Sequence, residues 1–192
     1  FAETWFIRYL SNHMIHFDIL TLFPDMIEPY TEDSILKRAQ EKGLISINLH
    51  NWREFAMSKH KNVDDTTYGG GTGMLLKVDP LYNQLRALDV LKRNKKTRVI
   101  LLTPEGKKFN HKAAVRLSKC DRVVLIAGRY EGFDARIEEF VDEKLSIGPY
   151  VLSGGELPAL VVLEAVARQI PGVLGHSEEA LQNETFASGA SV

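Results

Sequence analysis

A chain of 192 residues suits one domain with at most a small appendage, and is long enough to bury a sizeable core. Its 44% hydrophobic and 26% charged content is ordinary for a globular protein, and no apolar run approaches the roughly 18 residues of a membrane helix. A formal net charge of −1 excludes a wholly basic nucleic-acid coat, while a local basic patch stays compatible with it.

The first residues mix aromatic side chains with Glu3 and Arg8 and lack the basic-then-apolar order of a secretory signal. Met14 opens a strand-like pattern, so residues 1–13 read as an extension or a remnant of expression. Residues 15–22 predict a strand. Ile27, Tyr30, Leu36 and Ala39 mark a helical stripe over residues 26–42, which Gly43 stops. Residues 44–49 alternate and predict a second strand. Residues 51–77 are polar with little periodicity and predict a long loop, a length that points to function or disorder. Asp79 as N-cap and Pro80 in the first turn start a helix that runs to Leu91.

Residues 92–98 hold the densest basic cluster, which by itself reads as a solvated loop. Residues 98–103 predict a buried strand ending at Pro104. Asn110 caps a helix through Ser118, residues 122–127 form another buried strand, and residues 134–141 a helix. Residues 144–147 are a short strand, and residues 156–169 an amphipathic or buried helix stopped by Pro171 and Gly172. The small residues of the 188–192 tail predict disorder. Cys120 is the only cysteine, which excludes an internal disulfide and fits a reducing cytoplasm. It reads as a structural thiol rather than a nucleophile, because no histidine neighbours it in sequence.

Strands alternating with helices predict an α/β domain with a largely parallel sheet, whose ligands sit at the carboxyl ends of the strands. Three glycine-bearing loops take that position, at residues 103–106, 128–132 and 147–155. The segment 146–158 carries three glycines, two prolines and no charge except Glu156, the composition of a tight crossover and of a pocket wall. No G-x-G-x-x-G follows a strand, so a dinucleotide site is unsupported, and no G-x-x-x-x-G-K-S/T exists.

Six motifs, in order over about 160 residues, give the chain a close resemblance to a family. They are D-I-L-T-L-F-P at 18–24, V-D-D-x-x-Y-G-G-G-x-G-M at 63–74, P-x-G at 104–106, and G-R-Y-E-G-x-D-x-R at 128–136. S-I-G-x-Y-V-L-S-G-G-E-L-P at 146–158 and R-x-I-P-G-V-L-G at 168–175 complete the set. The chain resembles the bacterial tRNA (guanine-37-N1)-methyltransferases, of the knotted SPOUT methyltransferase class. The resemblance implies a SPOUT domain over residues 14–175 with a deep trefoil knot, an exception to the rule that chains avoid knots. It also implies an obligate homodimer with its active site at the subunit interface, and S-adenosylmethionine as the cofactor.

By that resemblance Leu101, Leu102, Thr103 and Pro104 wall one side of the cofactor. Gly128, Tyr130 and Glu131 form the second loop, and Ile147, Gly148, Tyr150, Leu152, Gly154, Gly155 and Pro158 the third. No residue is assigned to a metal. Lys59, His60, Lys61, Tyr68, Gly69, Gly70 and Gly71 are the RNA-facing residues, offering main-chain amides, an aromatic face and positive charge. Methyl transfer to N1 of guanine needs a base for the N1 proton and a cation for the charge that builds on O6. The family's arginine falls on Arg168.

The chain departs from the family at the base. The usual aspartate of a D-S-F motif is replaced by Glu184 in the run Gln182-Asn183-Glu184-Thr185-Phe186. Family members continue into a small helical domain that grips tRNA, whereas residues 176–192 read as the start of the linker to a domain absent from this chain. Two other readings stand beside this one: a SPOUT enzyme acting on another RNA, and a cofactor- or RNA-binding module without catalysis.

Overall fold

The computed structural model of the chain describes residues 14–66, 73–92, 94–130 and 132–174. In chain order its elements are β1 (Ile15–Thr21), α1 (Glu28–Thr31), α2 (Ser34–Glu41), β2 (Ile45–Asn51), β3 (Asp64–Thr66), β4 (Met74–Leu76), α3 (Val78–Ala87), β5 (Thr97–Lys108), α4 (His111–Leu117), β6 (Arg122–Ala127), β7 (Glu143–Ser146) and α5 (Glu156–Ala167). Single 3₁₀ turns at Pro24–Met26, Trp52–Phe55 and Ala135–Phe140 join them.

Five strands form one parallel sheet in the order β2-β1-β6-β5-β7. Its central strands are apolar on both faces, as a sheet covered on both sides requires. Val123 and Leu125 of β6 join Phe17, Ile19, Ile100 and Leu102 in a core covered by α2, α4 and α5. Val124 and Ile126 join Leu20, Val99 and Leu101 in a second core, with Trp52 and the α3 residues Leu81 and Leu85. Cys120 is free and belongs to the first core, where burial pushes its thiol pKa up; it is a packing residue. No helix among the described residues is long and apolar enough to cross a membrane.

Several elements differ from the sequence expectation. The stripe over residues 26–42 is not one helix. Pro29 begins the single turn α1, and Asp33, in an extended conformation, accepts a hydrogen bond from the Ser34 amide and starts α2 anew. The region 51–77 is not featureless: Asp64–Thr66 and Met74–Leu76 pair as an antiparallel hairpin. Helix α3 starts two residues early, with Lys77 as a cap lacking a side-chain bond, and Asp79 sits inside its first turn. It ends at Ala87, not at Leu91, because Asp89 takes φ 52 and breaks the spiral. Residues 135–140 form a 3₁₀ rather than an α-helix. The Asn110 cap holds, its Oδ1 accepting from the Ala113 amide at 3.0 Å.

The largest difference carries the site. Strand β5 does not end at Pro104. Leu102 and Lys107 both pair with Leu145 of β7, so residues 103–106 are looped out of a ladder that resumes beyond them. Gly106 makes this crossing sterically feasible: a Cβ there would lie 2.4 Å from the Leu145 carbonyl carbon.

Candidate active site

At the carboxyl ends of β5, β6 and β7 lies a cleft of about 630 Å³, the size range of small-molecule sites. The looped-out segment of β5 supplies Leu101, Leu102, Thr103 and Pro104 to its wall. The turn after β6 supplies Gly128 and Tyr130. The segment after β7 supplies Ile147, Gly148, Tyr150, Leu152, Gly154 and Gly155, with Pro158 from the first turn of α5. Every cofactor-loop residue named from sequence that is described lines this one cleft; Glu131 lies outside the described residues.

The loops are tied to one another through main chain. The Gly155 amide donates to the Gly128 carbonyl at 2.8 Å, and Arg129 bridges to Gly154. A Cβ at Gly155 would stand 2.7 Å from Ala127 Cα and 2.8 Å from the Gly128 nitrogen. The glycine is required because two chain segments touch there, so it shapes the cleft from behind.

A polar clamp locks the same junction. Glu156 is 3% exposed at the start of α5, where the helix dipole favours a carboxylate. Its Oε1 accepts from the Thr21 hydroxyl at 2.8 Å, and its Oε2 pairs with Arg129 Nε at 3.1 Å. The Arg129 guanidinium lies 4.6 Å from the Phe23 ring centroid and within 3.0 Å of Met26 Sδ. The end of β1, the second loop and the third loop thus share one ion pair. The sequence reading missed Arg129, although a signal existed. A lone carboxylate in an otherwise uncharged glycine segment needs a cationic partner when buried.

Also missed were Phe133, whose ring blocks any side chain at Gly128, and the charged lip formed by Glu105, Glu138 and Lys144. Lys144 Nζ donates to Glu138 at 2.8 Å, an interaction that raises the ammonium pKa. The hairpin β3–β4 is pinned to this rim: the Leu76 amide donates to the Gly132 carbonyl, and the Asp134 amide to the Leu76 carbonyl. Tyr68, Gly69, Gly70 and Gly71 lie outside the described residues, between two strands anchored at the cleft edge. Lys59, His60 and Lys61 sit on an exposed turn closed by the Lys61 amide on the Ser58 carbonyl at 2.9 Å.

Arg168 caps the far end of α5, its amide donating to the Glu164 carbonyl at 3.0 Å. Ten residues after Pro158, at 1.5 Å per residue, it stands about 15 Å further along the helix, and it does not line the cleft. Glu184 lies outside the described residues.

A five-stranded parallel sheet with a crossed β5–β7 ladder and a cleft at its strand ends places the chain in the SPOUT methyltransferase class. The family model described as tRNA (Guanine-1)-methyltransferase TrmD matches residues 15–190. The chain belongs to this family. A tRNA (guanine-N(1)-)-methyltransferase of Citrifermentans bemidjiense is 51% identical over 174 residues, covering 90% of this chain and 69% of that protein. The enzyme of the same description from Staphylococcus aureus strain JH9 is 49% identical over 173 residues, with the same coverage. The crystal structure of the tRNA (m1G37) methyltransferase from Aquifex aeolicus superposes with a TM-score of 0.75 at 41% identity, covering 84% of this chain and 72% of that one.

Proposed function

We propose that the chain transfers a methyl group from S-adenosylmethionine to N1 of guanosine 37 in tRNA, beside the anticodon. The observation that carries this reading is the convergence of three sequence-distant loops on one cleft, in a chain of the tRNA (guanine-1)-methyltransferase family.

The cleft fits the cofactor. Its volume suits a nucleoside-sized ligand, its floor is apolar at Leu101, Leu102 and Ile147, and glycines bring main-chain amides to its wall. When bound there, S-adenosylmethionine supplies an electrophilic methyl group. The three loops would hold it, and the Thr21–Glu156–Arg129 clamp keeps the second and third loops in register. Glu184 takes the N1 proton, which guanine carries at neutral pH, and Arg168 neutralises the charge that develops on O6. The loop between β3 and β4, with Lys59, His60 and Lys61, faces the RNA. The residues after β7 thread the knot, a reading supported by the packing of Gly155 on Ala127 and Gly128.

The active site forms between two copies of the chain. Two observations support this. Arg168 stands about 15 Å along α5 beyond Pro158, the last residue of that helix to line its own cleft, which favours a site completed by a second copy. Beside that helix runs an exposed apolar band: Leu157 and Val161 on its outer face, with Phe23, Met26 and Tyr30 adjoining. Tyr30 donates its hydroxyl to Glu164, which joins the two halves of the band.

The test is methyl transfer from labelled S-adenosylmethionine to tRNA transcripts differing only at position 37. Product is expected as 1-methylguanosine with guanosine at 37, and none with adenosine there. Equal labelling of both transcripts, or a ribose-methylated product, sinks the assignment.

A further inference from the structure

We propose that a basic track along α4 docks the phosphate backbone of the tRNA away from the methylated base. The inference rests on the tRNA reading above and names a surface that the cleft and its RNA-facing loop do not include. Between Gly106 and Cys120 the chain holds five lysines and arginines and no acidic residue, in a protein whose net charge is −1. Lys107, Lys108, Lys112, Arg116 and Lys119 are all exposed. Among the described residues, only Arg116 of these five forms an ion pair, with Glu143 at 2.8 Å.

Their placement makes a line. Lys107 and Lys108 pair in register with Leu145 and Ser146, both of which line the cleft, and the Phe109 amide donates to the Ser146 carbonyl at 2.8 Å. The track therefore starts on the strand next to one that lines the cleft. From there Lys112 and Arg116 follow at i and i+4 on the solvent face of α4, while Ala114 and Leu117 hold the opposite face in the core. Lys119 lies in the turn just past the helix, its amide donating to the Arg116 carbonyl at 3.4 Å. The Asp121 amide donates to the Lys96 carbonyl at 2.8 Å, so the track ends against the basic loop at residues 92–98. That loop, read alone, is only solvated; here it adjoins the end of the track, where Lys96 pairs with Asp121 at 3.3 Å. Such a line complements a nucleic-acid backbone, whose phosphates supply charge at fixed intervals and whose bases need not be read.

The experiment measures tRNA binding as a function of salt for the wild-type full chain, the K112E/K119E variant, and a control K37E/R38E variant. The control removes the same charge from exposed positions on α2, beside the opposite edge of the sheet. Exposed substitutions on α4 leave the core untouched, and calorimetric binding of S-adenosylmethionine checks that the cleft survives. For K112E/K119E the slope of log affinity against log salt should shrink by about 1.4–1.8, at roughly 0.7–0.9 per lost phosphate contact, and affinity at low salt should fall about tenfold or more. The turnover rate at saturating tRNA should be retained. An unchanged slope, an equal change in the control, or a loss of turnover without a loss of binding each overturns the track. Failure of the wild type to methylate tRNA overturns the functional reading instead, and the binding slopes still decide the track.

Discussion

A single methyl group at position 155 tests the cleft at the residue scale. An alanine Cβ there would press on Ala127 Cα at 2.7 Å and on the Gly128 nitrogen at 2.8 Å, and both contacts are backbone. Nothing flexible can move aside, so Gly155→Ala must push the third loop off the second. Overpacking of this kind costs about 1–3 kcal/mol. In a chain of this size the melting temperature should drop about 2–4 °C per kcal/mol, measurable by thermal denaturation. Affinity for S-adenosylmethionine should fall with it, because the displaced segment carries the cleft wall. A variant that melts and binds as wild type would show the contact to be soft. The loop membership of Gly155 and the tightness of the crossover were legible from the composition of the segment; which backbone it meets was not. The structure names Ala127 and Gly128, at the end of β6. Arg129 was hidden for a related reason: its carboxylate partner Glu156 lies twenty-seven residues on, and only the fold joins them.

The elements were legible where burial alone decides them and obscure where backbone geometry does. Strands β5 and β6 carry apolar residues on both faces because helices cover both, so their runs announce themselves. The break between α1 and α2 depends on the extended conformation of Asp33, which leaves the apolar stripe intact on either side. The looping-out in β5 depends on β7, a strand four residues long whose pairing no local pattern encodes. Between elements, Asp18 ties β1 to both neighbours. Its carboxylate accepts from His50 Nε2 of β2 and from Arg122 Nε of β6, each at 2.6 Å. Burial pushes the Asp18 pKa up, but the bonds from His50 and Arg122 outweigh it and hold the carboxyl below its ordinary value of 3.8. A depressed folded-state pKa contributes stability above pH 3.8 that is lost as pH falls through the folded value. Asp18→Asn should cost about 1.5–3 kcal/mol at neutral pH, the range for hydrogen bonds to a charged group. The gap between the two melting temperatures should then narrow as pH is lowered from 6 to 3. A gap that stays constant would mean that the charge contributes nothing.

At the scale of the whole molecule, the proposed site between two copies of the chain turns on where Arg168 stands. The helix α5 begins at the cleft and carries Arg168 about 15 Å beyond Pro158, so in the proposed dimer one chain would supply the cofactor wall and its partner the arginine. Sequence motifs located both groups without revealing their separation, because a motif fixes order along the chain and the helix length converts order into distance. If, as proposed, Glu184 acts beside the arginine of the partner subunit, Arg168→Ala and Glu184→Gln would disable the same site from opposite chains. Each variant alone should lose roughly 10²–10⁴-fold in methyl-transfer rate. Unfolding and refolding the two together lets subunits reassort. Half of the dimers are then mixed, and each mixed dimer carries both lesions in one site and none in the other. Activity should recover to about a quarter of wild type, the yield of random reassortment in a two-fold dimer. Replacing Val161 by glutamate in both chains should remove the recovery by separating the subunits, visible as a halved mass in sedimentation. It should leave binding of S-adenosylmethionine in place, since Val161 is exposed and lies outside the cleft. If the mixture stays as inactive as its parts while sedimenting as a dimer, both groups act within a single chain, and the interface site is wrong.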